Sequence, residues 1–218
     1  FEPGTVAQFA EYLRRVLTQM VEQPEQALSS VSLLSTEQHQ QIVHDWNRTE
    51  RDTSAMPDTV ARFEAVARCT PEAVALIAND RQLSYRALNQ AANRLAHYLI
   101  EQGVRPEHRV GLCLERSPEM VIGLLAILKA GAAYVPFDPA YPMERLAFMF
   151  SDAAPALLLT HSALPNALPT DIDTCCLDTD MQRWAHCPDT DPQVKVSPDN
   201  LGYVLYAVDA VRTLQINP

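Results

Sequence analysis

The amino-terminal quarter of the chain alternates apolar and polar residues with the period of a helix. Seven apolar positions share one face of a predicted helix that ends before Pro24. A second, shorter helix is predicted to start at Ser35, whose hydroxyl forms a capping box with Gln38, and to reach Trp46. The polar stretch 47–57 is interpreted as a linker. The seven apolar positions are Val6, Phe9, Ala10, Leu13, Val16, Leu17 and Met20.

From Asp58 onward, helical segments alternate with short apolar runs. This order predicts a parallel sheet covered by helices, the arrangement of an α/β fold. A helix over 58–67 comes first and is followed by a small hairpin over 73–83. The next helix is predicted to be capped by Ser84 and closed by Gly103. Its inward face holds Leu88, Ala91, Ala92, Leu95, Ala96 and Leu99.

Four further apolar runs are predicted to be strands of the same sheet. A helix that starts at Ser117-Pro118 and ends at Gly131 separates the first two runs, and a helix that starts at Pro142 precedes the third. Residues 164–199 are predicted to be mainly loops, with room for one strand. The four runs span 110–114, 132–136, 156–160 and 201–206.

Composition and charge exclude several classes of protein. The formal net charge is -10 and only two lysines are present, Lys129 and Lys195, which argues against a nucleic-acid binder. The longest apolar stretch, 120–133, is interrupted by a glycine and a lysine and is too short to cross a bilayer. The opening residues lack the pattern of a secretory signal, so a cytoplasmic location is expected. Five irregularly spaced cysteines predict reduced thiols rather than disulfides.

One group of soft ligands could hold a metal ion. Cys175, Cys176, His186 and Cys187 are close in sequence, but they lack the paired spacing of structural zinc sites. We therefore expect partly buried thiols and a surface histidine, and no bound metal.

Two pairs of carboxylates lie in the loop region, Asp178 with Asp180 and Asp189 with Asp191. Such pairs can coordinate a cation or serve as acid and base. Neither pair has a partner group nearby in sequence. They are therefore interpreted as solvated loop carboxylates.

No segment of the chain has the pattern of a phosphate-binding loop. Such loops need clustered glycines, because backbone amides must approach the anion closely. They also need a lysine, which supplies positive charge. The glycines here are scattered singly, and the other histidines belong to no Ser or Cys nucleophile motif. We therefore predict no catalytic, cofactor-binding or metal-binding residue. The glycines lie at positions 4, 103, 111, 123, 131 and 202.

Five stretches of the chain resemble the amino-acid adenylation domains of nonribosomal peptide synthetases. The string LKAGAAYVPFDP at 128–139 resembles their second core motif, and 140–146 resembles its continuation. The string LSYRAL at 83–88 resembles the first core motif, at a fitting distance upstream. Residues 70–76 and 89–96 are similar to the sequences that flank these motifs.

The resemblance implies an order of domains. Residues 1–34 resemble the end of a condensation domain, and 35–57 resemble the condensation-adenylation linker. Residues 58–206 resemble the N-terminal part of the adenylation, or AMP-binding, domain, and 207–218 diverge from the family. The implied fold is an incomplete N-terminal subdomain of the adenylate-forming fold, preceded by a helical tail and a linker. The condensation-like tail favours a multidomain synthetase over a free-standing acyl-CoA ligase or luciferase.

The resemblance also implies an activity for the parent domain. It joins an amino acid to AMP, using ATP and magnesium, and passes the aminoacyl group to the phosphopantetheine thiol of a carrier domain. In the family a Thr/Ser/Gly-rich loop ending in Pro-Lys-Gly follows the position of Tyr206 and wraps the ATP phosphates. Here 207–218 contain neither glycine nor lysine, so no such cradle is available.

The chain is therefore expected to be inactive alone and to carry no cofactor of its own, as a truncated or rearranged gene product or an excised fragment. Its expected partners are other synthetase domains: condensation, the remainder of adenylation, and carrier. Two alternatives stay open, a non-catalytic docking fragment and one half of a split adenylate-forming enzyme.

The residues of the second core motif are expected to be structural. Lys129 can offset the dipole at a helix end, and Gly131 supplies a turn that a side chain would obstruct. Residues 134–139 pass from a buried strand to a rigid loop.

Overall fold

The computed structural model describes residues 1–52, 56–78, 81–164 and 172–206, together with the backbone of 213–216. The chain divides into two compact units, Phe1–Met56 and Pro57–Pro218. Each unit has its own secondary structure and is described separately.

The first unit is helical. Helix α1 spans Pro3–Glu22, and α2 spans Thr36–His39 and continues as a π-helical turn over Gln40–Asp45. The predicted capping box is confirmed, since the Gln38 amide donates to Ser35 Oγ at 3.0 Å and the Ser35 amide donates to Gln38 Oε1 at 2.9 Å. None of the residues described in this unit is buried.

The second unit opens with two helices around a hairpin, as predicted. Helix α3 spans Thr59–Cys69, and the antiparallel strands β1 and β2 span Val74–Ala78 and Arg81–Ser84. Helix α4 spans Tyr85–Glu101 and is capped by Ser84, which accepts from the Ala87 amide. The inward face of α4 also buries Asn93 and Tyr98, which the apolar pattern did not include.

A six-stranded sheet forms the centre of this unit. Its strand order is β6-β5-β3-β4-β7-β8, with parallel pairing throughout except for the last pair. All four predicted strands are confirmed, and β6 is the one strand in the described part of the loop region. Strand β8 lies in the segment that diverges from the family, where no strand was predicted. The strands are β3 Arg109–Leu112, β4 Ala133–Pro136, β5 Leu157–Thr160, β6 Thr174–Cys176, β7 Tyr203–Tyr206 and β8 Thr213–Ile216.

Helices cover both faces of the sheet. Helix α5, Pro118–Lys129, connects β3 to β4, and α6, Met143–Ala153, connects β4 to β5. In β5, Leu157 and Leu159 pack in the core cluster that contains α4 and α5, whereas the intervening Leu158 packs in the cluster that contains α6. Because successive side chains of a strand point to opposite faces, α5 and α6 lie on opposite sides of the sheet. Within the described residues no helix is long and apolar enough to span a membrane.

The interpretation of the acidic loop pairs as solvated is correct only in part, because these carboxylates are partly exposed but are also hydrogen-bonded. Residues 184–191, here called the α4 strap, run back along α4 and bond to it repeatedly. Asp191 Oδ1 accepts from Asn89 at 2.8 Å and from Asn93 at 2.9 Å. Asp189 Oδ2 accepts from Gln90 at 3.0 Å. A helix face can supply such donors only when the chain folds back on it, which local sequence does not reveal.

The carboxylates of the other acidic pair, Asp178 and Asp180, are also hydrogen-bonded. Asp178 accepts hydrogen bonds from the amide and the hydroxyl of Ser162, and Asp180 accepts from the Cys176 amide at 3.0 Å. Arg183 donates to Asp180 at 3.3 Å. These carboxylates therefore shape the turns that follow β5 and β6.

Lys129 is the central residue of a buried ionic cluster. Its side chain is fully buried, its Nζ bonds to a carboxylate oxygen of Glu64, and it lies 3.3 Å from Asp191 Oδ1. The ammonium group also lies 5.9 Å from the centre of the Phe63 ring. The cluster joins α3, the end of α5 and the α4 strap, so Lys129 does more than offset a helix dipole.

Candidate functional site

The topology of the sheet predicts where a ligand would bind. The connection that leaves β3 passes through α5 on one face, and the connection that leaves β4 passes through α6 on the other. In open α/β sheets the loops diverge at such a switch point and leave a crevice outside the carboxyl ends of the two strands. In this chain that point lies between β3 and β4.

A cleft of about 570 Å³ lies at this switch point. Its walls come mainly from residues 112–116 after β3 and 136–140 after β4. The two walls are joined at their base, because the Phe137 amide donates to the Leu112 carbonyl at 3.0 Å. Phe137 is also stacked on Phe150 of α6, with ring centroids 3.9 Å apart. The cleft therefore rests on a well-packed part of the sheet.

The loop after β4 has a defined turn. Asp138 Oδ1 accepts from the Ala140 amide at 2.9 Å, and the Asp138 carbonyl accepts from the Tyr141 amide at 3.0 Å. The guanidinium of Arg145 lies 4.1 Å from the centre of the Tyr141 ring. This arrangement agrees with the predicted passage from strand to rigid loop.

The charges of the cleft are not those of a triphosphate site. Among the described residues that line the cleft, Arg116 is the one cationic side chain, Glu115 and Asp138 are acidic, and none is glycine. A triphosphate needs several cations or closely spaced backbone amides. The cleft residues therefore do not fit the phosphates of ATP by themselves.

None of the described residues that line the cleft is a cysteine or a serine. Cys113, which follows β3 but does not line the cleft, is buried, and its burial together with the charge of Asp138 raises the pKa of its thiol to about 11. Such a thiol is protonated at neutral pH and unreactive. Cys175 in β6 is similar, since burial raises its pKa to about 12.

The candidate zinc ligands do not come together as a set of four. Within the described part of the chain, one group of three or more possible ligands has all its donor atoms within 4.8 Å of one another. It contains His186 and Cys187, but it adds Glu101 and leaves out Cys175 and Cys176. As predicted, His186 is exposed, and the thiols range from buried to partly buried in this region.

The first residues of the second core motif lie at the edge of the sheet away from the cleft, whereas 136–139 of the same motif line the cleft. Helix α5 ends at Lys129 just before β4 begins, so Lys129 and Gly131 lie at the amino ends of the parallel strands. Gly131 has φ +78°, and a Cβ there would lie 2.9 Å from Val194 Cγ1. Tyr134 stacks on Tyr203, with centroids 5.5 Å apart, which aligns β4 with β7. These contacts support the expected scaffold role.

The ionic cluster around Lys129 was missed from the sequence, although one signal points to it. Asn89 and Asn93 lie four residues apart on the inner face of α4, and Asn93 is fully buried. A buried amide in an apolar face must find hydrogen-bond partners. Here those partners come from the α4 strap, about 100 residues further along the chain.

Known proteins are similar to this chain in sequence and in fold. A family model described as AMP-binding enzyme matches residues 63–207. A linear gramicidin synthase of Brevibacillus parabrevis is 41% identical over 210 residues, which cover 94% of this chain and 3% of that protein. Gramicidin S synthase 2 of Aneurinibacillus migulanus is 39% identical over 206 residues, which cover 94% of this chain and 5% of that protein.

A solved structure extends the likeness to the whole chain. The crystal structure of the nonribosomal peptide synthetase FmoA3 in its alpha-methyl-L-serine-AMP bound form aligns with a TM-score of 0.74 and 27% identity. The alignment covers 100% of this chain and 25% of that one.

The parallel sheet with helices on both faces is the N-terminal subdomain of the adenylate-forming fold. The chain belongs to the AMP-binding enzyme family, and the relatives named above are all nonribosomal peptide synthetases. It spans only 3% and 5% of the length of the two gramicidin synthases.

Proposed function

We propose that this chain is the first lobe of an amino-acid-activating adenylation domain within a nonribosomal peptide synthetase module. The complete domain joins the carboxylate of an amino acid to the α-phosphate of ATP and releases pyrophosphate. It then passes the aminoacyl group to a phosphopantetheine thiol on a carrier domain. The observation that carries the proposal is the family match over 63–207, which includes the parallel strands β3 to β7, the cleft and both core motifs.

The lobe supplies the scaffold rather than the nucleotide chemistry. Of the two lysines, Lys129 is buried and paired with carboxylates, which leaves Lys195 alone for a phosphate. The cleft offers one arginine and no glycine among its described walls. Residues 207–218 contain neither glycine nor lysine. The chain by itself is therefore not competent to form an adenylate.

We assign the first unit to the boundary with a condensation domain, residues 1–34 as its end and 35–57 as the linker. In this assignment α1 packs on the body of the condensation domain. The exposed apolar face of α1 supports it, because an amphipathic helix is stable when that face is covered. Its exposed members are Val6, Phe9, Leu13, Leu17 and Met20.

The test is amino-acid-dependent exchange of labelled pyrophosphate into ATP, measured on the purified 218-residue chain with each proteinogenic amino acid. We expect no exchange above the level without amino acid. A complete adenylation domain from one of the gramicidin synthases, assayed in parallel, shows that the assay works. Robust exchange by this chain would refute the claim that it cannot form an adenylate alone. Saturable binding of ATP with magnesium would contradict the conclusion that the cleft does not fit the phosphates of ATP.

A second candidate function is a non-catalytic docking fragment, which the exposed apolar face of α1 favours. In that case the chain binds saturably to neighbouring synthetase domains, and Phe9→Ala with Leu13→Ala weakens the binding without changing the helix content. The absence of binding to condensation, adenylation and carrier domains would exclude it.

If the chain is one half of a split enzyme, exchange activity appears on mixing it with a chain that begins near the glycine-rich loop.

A further inference from the structure

The α4 strap brings together three side chains of the kinds that bind zinc. Glu101 is the last residue of α4, and His186 and Cys187 lie in the strap opposite it. All three donor atoms lie within 4.8 Å of one another, and Cys187 Sγ is 3.8 Å from Glu101 Oε2. The group is separate from the cleft and from the residues of both core motifs.

Two matched contacts hold the strap in register with the last turn of α4. The Trp184 ring packs against the Tyr98 ring, with centroids 5.8 Å apart. Cys187 and Glu101 lie three residues after Trp184 and Tyr98, respectively, and contact each other. Trp184 and Tyr98 are both buried, so this contact anchors the backbone that carries the three donors. Pro188 follows Cys187 and restricts the backbone of Cys187 to extended conformations.

The side chains can close around an ion with small movements. Zinc bonds of about 2.0–2.3 Å in tetrahedral geometry place neighbouring ligand atoms about 3.3–3.8 Å apart. The thiol and the carboxylate already lie at this separation. His186 and Glu101 are exposed, so rotation of their side chains can supply the remaining adjustment, of roughly 1 Å. Their exposure also leaves a fourth position open to water.

Electrostatics at this point favour a cation. A carboxylate at the carboxyl end of a helix meets the negative end of the helix dipole, and α4 has no basic residue in its last turn. Without metal, the Cys187 thiol donates its proton toward the Glu101 carboxylate. A divalent ion that replaces this proton gains a thiolate and a carboxylate together and releases one proton to solvent.

We infer that Glu101, His186 and Cys187 form a three-ligand site for zinc, with water as the fourth ligand, which fastens the α4 strap to the end of α4. Three protein ligands of mixed type with an open fourth position are a known zinc arrangement. The site is independent of the proposed function, because it needs neither ATP nor a partner domain.

The test uses the full chain, freed of metal by dialysis against a chelator and then titrated with cobalt(II) as a spectroscopic probe and with zinc. We expect one equivalent of cobalt to produce a thiolate-to-metal charge-transfer band with tetrahedral visible absorption, and zinc to displace it stoichiometrically. His186→Ala and Glu101→Gln, both at exposed positions, are each expected to weaken zinc binding by at least about tenfold. Loss of an outer-shell partner alone costs about 10–100-fold, and a direct ligand costs no less.

The control is Cys69→Ser, which removes an exposed thiol on α3 and leaves the three donors intact. It is expected to bind zinc as tightly as the parent chain, whereas Cys187→Ser loses the charge-transfer band. Circular dichroism of each variant, compared with the parent, establishes that it is folded. The inference is overturned if no stoichiometric binding occurs, or if folded His186→Ala and Glu101→Gln variants both bind as the parent does, since the thiol would then act alone.

Discussion

The two units of the chain follow the same sequence rules and reach opposite outcomes. In the first unit the apolar stripe of α1 has the expected helical spacing, yet Phe9 is 58% exposed. In the second unit Phe137 is 1% exposed and stacked between the sheet and α6. Periodicity therefore predicts a helix and a face that needs a partner, but burial depends on elements from elsewhere in the fold.

The largest difference in the free energy of unfolding is expected between the Phe137→Ala and Phe9→Ala variants. Removing the buried ring is expected to lower the free energy of unfolding of the second unit by about 3–5 kcal/mol, through lost transfer energy and a cavity. Removing the exposed ring is expected to change it by less than about 0.5 kcal/mol. Urea unfolding in a Trp46→Phe background isolates the fluorescence of Trp184, which reports on the second unit. An equal loss from Phe9→Ala would show that the α1 face is covered in the folded chain.

Lys129→Met should cause the next largest loss in the free energy of unfolding. The methionine keeps the volume but leaves the carboxylates of Glu64 and Asp191 without their cation, at a cost of about 3 kcal/mol. Lys195→Met is the matched control, because Lys195 is exposed and its loss should be nearly neutral. The same fluorescence-monitored unfolding measures both. A neutral Lys129→Met would mean that water already screens the cluster.

A pair of cap substitutions compares the units at the level of local structure. Ser84 and Ser35 both accept a hydrogen bond from the third residue of the following helix. Ser84→Ala is expected to cost about 1 kcal/mol of global stability, because α4 is built into the core. Ser35→Ala should instead raise amide exchange in α2 alone and leave the unfolding midpoint of the second unit unchanged. A global effect of Ser35→Ala would mean that the units unfold together.

Acid should weaken the attachment of the α4 strap. Burial alone raises the pKa of Asp191, but the hydrogen bonds from Asn89 and Asn93 and the charge of Lys129 outweigh it and hold this pKa below its ordinary value of 3.8. A carboxylate with a depressed pKa stabilises the fold above its unfolded pKa, and this contribution disappears as pH falls through the folded one.

The parent chain should therefore lose stability below about pH 4 more steeply than Asp191→Asn does. The measurement is the free energy of unfolding across a pH series, compared between the two chains. This effect is expected to be the smallest, since Asp191 is partly exposed and its burial opposes the shift. Parallel pH profiles would show that the cluster contributes nothing to acid sensitivity.

Much of the fold could be predicted because its signals are local. Ser35, Ser84 and Ser117 each cap the helix predicted to follow them, and Gly103 and Gly131 have positive φ at predicted helix ends. Runs of apolar residues marked all four of the predicted parallel strands. The strand order could not be predicted in the same way, since it depends on which face each connecting helix covers.

The candidate site was less predictable than the fold. The cleft exists because α5 and α6 lie on opposite faces of the sheet, which no single segment encodes. The hydrogen bonds of the α4 strap carboxylates were missed because their partners on α4 lie about 100 residues away. The Glu101 carboxylate was not considered as a ligand for the same reason.

By itself, the sequence determined the main helices, their serine caps, four strands of the central sheet and the family, because each depends on neighbouring residues or on a contiguous motif. Tertiary structure alone decided that Lys129 is buried in an ionic cluster, that β3 and β4 open a cleft, and that Glu101 faces Cys187. These features depend on the free energy of contacts between segments distant in sequence, and such contacts exist only after the sheet and its helices have assembled.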